Sequence, residues 1–314
     1  MTGYIIRRFI MIAPILLGVA TIVFILMFIV PGDPARLLMG QHGDEDTIRT
    51  IRHEMGLDKP VYVQYVRFIG RLLKGDLGMS YRQKRPVATI IRERFPATVK
   101  LAVASMALAI LVGIATGIVA AVFRNTVLDW MVMIFSLTGI SMPVFWLGMM
   151  LILLFASGLG WFPVGGYGQH GDLRHLFLPA LSLAAVSTGY ITRMMRSSML
   201  EVTGKDYIRT ARAKGLSETA VILRHALRNA FIPVITIIGI DFASLLGGAV
   251  ATETVFAWPG LGRATVDAIR VRDLPVVEGC VIFLAFIFVI ANLLVDLSYA
   301  WLDPRIRLEG SEKP

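Results

Sequence analysis

Cysteine is almost absent from this 314-residue chain: the only one is Cys280. That excludes an internal disulfide and a cysteine metal cluster, and leaves Cys280 as a small buried apolar side chain. Charge is scarce too, at 17% of residues against 56% apolar, where a soluble domain carries about 25%. His42, His53, His170, His175 and His225 are scattered without ligand spacing. The chain has no GxxxxGK[ST] loop, so it does not bind ATP through a Walker motif. No nucleophile–base pair is placed for hydrolysis.

What charge there is lies between uncharged blocks. Phe9–Val30, Leu101–Phe123, Trp130–Phe162, Leu176–Thr192 and Gly279–Val295 are apolar, and Phe231–Val255 is apolar except for Asp241 and Glu253. A helix needs roughly 20 apolar residues to cross a bilayer. The expectation is an all-α polytopic membrane protein with six transmembrane helices. Arg7 and Arg8 resemble the start of a signal peptide, but the apolar run after them is too long and has no small-residue cleavage pattern. Residues 9–30 therefore read as a retained first span behind a cytoplasmic tail, 1–8. The formal net charge of +9 sits largely beside the membrane blocks and does not point to nucleic acid.

Six spans put both termini on one side. Arg7, Arg8, Arg124, Arg305, Arg307, Lys313 and the segment 193–229, with eight Lys/Arg against three Asp/Glu, all fall there. The positive-inside rule makes that side cytoplasmic. The segment 31–97, with twelve Lys/Arg and eight Asp/Glu, would lie outside; segments longer than about 60 residues translocate largely regardless of charge. It reads as a small external insertion of short helices at Asp46–Met55, Val61–Leu73 and Pro86–Phe95. The remaining outer loops are Gly158–His175 and about Phe256–Pro275. The permease core is then 98–303, with a cytoplasmic tail at 304–314.

Small residues recur every fourth position at Ala109, Gly113, Gly117 and Ala121, and again at Ala243, Gly247 and Ala251. Such ladders let helix backbones approach closely in lipid. Asp241, near the middle of the fifth span, is costly in a membrane and normally faces protein or water. It is a candidate pathway carboxylate that meets the amine of a substrate, or else a hydrogen-bonded structural residue. Glu253 and Glu278 fall toward outer ends, where a wet position is ordinary. Pro143 should kink the third span.

The basic segment 193–229 is the longest polar interruption of the membrane core. Val202–Ala213 can form a helix despite Gly204, Lys214-Gly215 supplies a stop, and Ser217-Glu218 can begin a second helix through residue 229. A helix–glycine–helix knob of this kind transmits displacement where a loose loop would absorb it. The segment resembles the EAA loop of the inner-membrane permeases of bacterial ABC importers. Anchored on Gly215, that family's Glu-Ala-Ala falls on Arg209, Thr210 and Ala211, of which only Ala211 matches. The divergent form DYIRTARAKG at 206–215, followed by HALRNAFIP, resembles the peptide-permease branch. YIIRRF at 4–9, PGDPAR at 31–36, GLDKPVYVQY at 56–65, GDLGMS at 75–80, FAWPGLGR at 256–263 and RDLPV at 272–276 resemble the B-type permease of dipeptide, oligopeptide, glutathione and nickel importers.

The resemblance implies a type I ABC importer permease fold and a bacterial inner-membrane location. It implies pairing with a homologous second permease, two ATPase subunits that use ATP and Mg, and a periplasmic or lipid-anchored solute-binding protein. No cofactor would be bound by this chain. The coupling residues implied are Tyr207, Arg209, Ala211, Arg212, Lys214 and Gly215, with Tyr207 and the arginines docking, Ala211 allowing a close fit and Gly215 setting the bend. Short peptides are the expected cargo, with glutathione or nickel as the alternative. An ATP-independent secondary transporter or channel built on Asp241 is opposed by the basic segment and by the absence of convincing inverted repeats.

Overall fold

The computed structural model describes residues 2–29, 36, 44–54, 56–169, 172–247 and 249–302. Most of the PGDPAR motif, His42, His170 and the tail 304–314 lie outside them. The described residues are helical: α1 Thr2–Ile29, α2 Glu45–Glu54, α3 Val61–Leu73, α4 Val87–Val122, α5 Val127–Ser141, α6 Val144–Gly158, α7 Leu173–Thr203, α8 Asp206–Ala213, α9 Glu218–Leu246, α10 Val250–Val255, α11 Leu261–Arg270 and α12 Leu274–Leu302. They form two compact units, Met1–Thr98 with Pro259–Val289, and Val99–Trp258 with Ile290–Pro314.

Among the described residues, α4, α7, α9 and α12 are long and apolar enough to cross a membrane. The pair α5 and α6 makes a fifth span if counted as one, and α1 carries a shorter apolar stretch, Met11–Met27. Four or five such helices, rather than six, meet the requirement of length and composition. The expected kink at Pro143 is a full break: α5 and α6 meet at 107°. Pro143 disfavours helix in the residue before it, and Met142 is extended at φ −81°, ψ 133°. The block Phe231–Val255 is likewise two helices, because α9 stops at Leu246 and α10 starts at Val250. The Ala243/Gly247/Ala251 ladder is therefore not one helix face.

In the first unit, α2 and α3 fall where helical spacing places them. The expected short helix Pro86–Phe95 is instead the first part of α4, since the apolar period continues through Pro96 into the span. Tyr65, Phe68, Ile69 and Leu72 of α3 pack with Ala20 and Phe24 of α1. Val87, Ile90 and Ile91 of α4 pack with Leu261 and Ala268 of α11 and with Val276, Cys280 and Leu284 of α12. Cys280 is buried, as its size and lack of partners suggested. The turn after Met79 is pinned by buried Asp273, which accepts hydrogen bonds from the Ser80 hydroxyl, the Tyr81 N–H at 2.9 Å and the Arg82 N–H at 3.4 Å.

In the second unit, α7 is the element on which the others pack. A Cβ on Gly117 of α4 would lie 2.6 Å from the Met195 Cβ and 2.8 Å from the Thr192 carbonyl oxygen; on Gly113 it would lie 2.8 Å from Ile191 Cγ2. The ladder on α4 is thus a contact within the chain. On another side of α7, a Cβ on Gly189 would meet the Ser136 carbonyl at 2.5 Å, and one on Gly139 the Ala185 carbonyl at 2.8 Å. The loop between α6 and α7 closes over the end of the same unit: Gly166 N–H donates to the Phe256 carbonyl at 2.8 Å, and Tyr167 stacks edge-on with buried Trp258 at 4.7 Å.

Gly117→Ala should destabilise by about 1–3 kcal/mol, the usual cost of overpacking. Gly18→Ala in α1, where a Cβ would meet nothing within 4 Å, should be neutral or stabilise by up to about 1 kcal/mol. Melting temperatures of the two variants in detergent check the contrast.

Candidate coupling segment

The basic segment is built from three elements rather than two. Residues 193–203 are the end of α7, and Gly204 caps that helix, so the expected helix across Val202–Ala213 is broken there. Gly204 has no side chain to pack and little helix propensity, and Lys205 then takes an extended conformation before α8. The stop expected at Lys214-Gly215 is present: Lys214 is the C-cap of α8, and Gly215, at φ +79°, donates its N–H to the Arg212 carbonyl at 2.9 Å. An L side chain rarely adopts that backbone. Ser217 caps the next helix by accepting the Ala220 N–H at 3.4 Å. From there α9 runs on through a π-helical stretch, Val221–Ala226, and past Pro233.

The turn is clamped. Arg212 donates Nε to Glu218 Oε2 at 3.0 Å and Nη2 to Oε1 at 2.6 Å, tying the end of α8 to the start of α9 across the glycine. Asn229 of α9 donates to the Tyr207 hydroxyl at 2.9 Å. Ile208 and Ala211 face inward, packed with Met195, Met199, Val221 and Ala226. Ala211 is only 6% exposed, so the close fit expected of it is made with the chain's own core and not with an outside surface. Arg209, with 81% of its side chain exposed and an ion pair to Asp206 at 3.5 Å, points outward. Lys214 and Gly215 are exposed, and the Tyr207 ring is partly so. The structure thus places the six residues on α8 and the turn that ends it, and divides them between an inward and an outward side.

Two residues were not singled out from sequence. Arg196 of α7 donates Nε and Nη2 to the two oxygens of Asp129 of α5, both at 2.7 Å. Asp129 also accepts the Asn125 N–H at 3.0 Å, which fixes the turn between α4 and α5. The only signal was an acid opening one apolar block and an arginine closing another, both on the basic side. Ile208 was missed as well: an apolar residue inside a polar motif, it anchors α8 to the core.

The acidic residues of the spans are buried to different degrees. Asp241 of α9 adjoins the Ser187 hydroxyl of α7, and its Oδ2 is buried with no hydrogen-bond partner. Glu253 is fully buried in α10, and Glu278 Oε1 is buried without a partner beside a small cavity shared with Arg71. Glu253 is therefore not the wet entrance carboxylate its position suggested, whereas Glu278 is partly buried and lines that cavity. Among the described residues no group of three His, Cys, Asp or Glu could hold a metal ion.

The profile of the binding-protein-dependent transport system inner membrane component family matches residues 113–308, and that of its N-terminal membrane component matches residues 1–102. The chain belongs to this family. It is a permease subunit of an ABC importer, a family in which ATP is hydrolysed on separate chains. A Brucella abortus protein named as a peptide transport system permease is 47% identical over 98% of this chain and 100% of its own length. The glutathione transport system permease protein GsiC of Salmonella paratyphi A is 45% identical over 98% of this chain and 99% of its own. Inward-facing structures of the MetNI methionine ABC transporter align with TM-scores of 0.52 and 0.57 at 19% and 18% identity, over 67% and 68% of this chain and 96% of each of theirs. That likeness is one of fold.

Arg196→Met should cost about 3–5 kcal/mol, since it strands a buried carboxylate. The double variant Asp129→Asn/Arg196→Met should lose less than Arg196→Met alone. Denaturation of the four proteins in the resulting double-mutant cycle checks this.

Proposed function

We propose that this chain forms half of an ATP-driven import pathway for dipeptides or short oligopeptides. The observation that carries the cargo is the 47% identity, over 98% of the chain, to a protein named as a peptide transport permease. The glutathione permease at 45% keeps glutathione, itself a short peptide, within the same chemistry. In this reading α1 and the α5–α6 pair complete six spans, both termini are cytoplasmic, and 31–97 is an external insertion. A second, homologous permease supplies the other half of the pathway. A solute-binding protein delivers cargo from outside.

The motor acts through α8. Two ATPases dock on the cytoplasmic side, one of them against the outward residues Arg209 and Lys214 and the exposed edge of Tyr207. The Arg212–Glu218 pair and Gly215 hold α8 at a fixed angle to α9, so displacement of the knob becomes displacement of a span. Ile208 and Ala211 pass the same load into the core beneath. Asp241, about three turns into α9's apolar stretch, meets the protonated amine of the passing peptide. A buried carboxylate oxygen without a partner supports that role, since a cation is the ligand it lacks.

Two outcomes check the reading in proteoliposomes carrying the complete importer. Gly215→Val should abolish ATP-dependent dipeptide uptake while basal ATPase activity persists; a β-branched residue at positive φ costs about 1–3 kcal/mol and shifts the turn. Undiminished uptake at normal expression sinks the coupling assignment. Asp241→Asn should raise KM for peptides with a free amine and leave N-acetylated peptides unchanged.

A further inference from the structure

Helix α3 has more apolar surface than its packing uses. Phe68, Tyr65, Ile69 and Leu72 turn toward α1 and Ile282 of α12. On the adjoining arc, Tyr62, Val66 and Leu73 are 71%, 67% and 84% exposed. At 100° per residue the remaining arc holds Gln64, Arg67, Arg71 and Lys74, with the two arginines and the lysine exposed. The helix therefore has an apolar side wider than its buried contact, backed by a basic one. A helix with that division and an aromatic at its edge matches the membrane–water boundary.

Its level along α1 points the same way. The contact is confined to about one turn of α1: Thr21 Oγ1 meets the Tyr65 hydroxyl at 2.8 Å, and Phe24 meets the rings of Tyr65 and Phe68 at 5.2 and 5.5 Å. At 1.5 Å rise per residue, Phe24 lies about 8 Å along the axis before the end of α1 at Ile29. Interfacial helices sink their apolar side about 5–10 Å into the headgroup–acyl boundary. At that same level Ile22, Ile25 and Leu26 of α1 are 60%, 50% and 52% exposed, so the open arc of α3 continues a surface that faces acyl chains.

We propose that α3 lies in the membrane plane, in the leaflet at the C-terminal end of α1, with Tyr62, Val66 and Leu73 in lipid. Arg67 and Lys74 face the phosphate layer. The occupant of the open arc is lipid, and the inserted segment is held against the bilayer instead of standing free of it. This rests on the reading of α1 as a span.

The test uses the assembled importer in nanodiscs of phosphatidylethanolamine and phosphatidylglycerol. Buried Cys280, the chain's one cysteine, is replaced by alanine, and single cysteines are placed at Tyr62, Val66, Leu73, Arg67, Lys74 and, as a control, Ile22. Each carries an environment-sensitive fluorophore, challenged with aqueous iodide or with lipid bearing a nitroxide on its acyl chain. The expected result is loss of fluorescence to nitroxide lipid and protection from iodide at 62, 66 and 73, and the reverse at 67 and 74. Iodide quenching at 62, 66 and 73 equal to that at 67 and 74 overturns the proposal. Protection from both quenchers also overturns it, because a protein partner then covers the arc. Absence of lipid quenching at position 22 shows instead that α1 is not in lipid, and the placement of α3 falls with it.

Discussion

The approach of backbones on α7 is the constraint from which the second unit follows. In lipid there is no hydrophobic gain in bringing helices together, so association depends on packing and on polar contacts between helices. Gly113 and Gly117 on one neighbour, and Gly139 on another together with Gly189 of α7 itself, remove the side chains that would hold these backbones apart. Thr116 and Thr192 share a hydrogen bond of 2.8 Å in the first of these seams. Asp129 and Arg196 close one end of the second. A helix so tightly held on two sides moves with its neighbours or not at all.

The basic segment inherits its stiffness from that helix. α8 follows α7 after a glycine and a lysine, and its inward residues Ile208 and Ala211 join the same core as Met195 and Met199 of α7. The Arg212–Glu218 clamp is exposed on both sides and contributes only modestly to stability. Its value is directional: two bonds in one plane fix the angle between α8 and α9, which a point contact would leave free. Burial supplies the strength and the ion pair supplies the geometry.

Much of this was readable in the residues. Apolar blocks located the long helices, helical spacing gave α3 its ends, and Lys214-Gly215 with Ser217-Glu218 marked the turn through local chemistry alone. The readings that failed were those in which apolar composition stood in for continuity. Trp130–Phe162 is uncharged and Phe231–Val255 is apolar except for Asp241 and Glu253, yet each contains an end of helix, at Ser141 and at Leu246. Pro143 signalled the second break but not its angle, and Pro96, Pro179 and Pro233 lie inside helices that continue. Gly204 erred in the opposite direction, ending a helix expected to pass through it.

Sequence by itself determined what each segment must avoid and what it can form: which stretches leave water, where a turn requires glycine, and that no nucleotide loop is present. These follow from side-chain chemistry and from neighbours a few residues away. Tertiary structure alone decided which face of α8 looks outward, that Ala211 belongs to the core, that Glu253 is buried and that Asp129 finds Arg196. Each depends on a partner far along the chain, and residue spacing carries no information about which distant surface will be brought beside it.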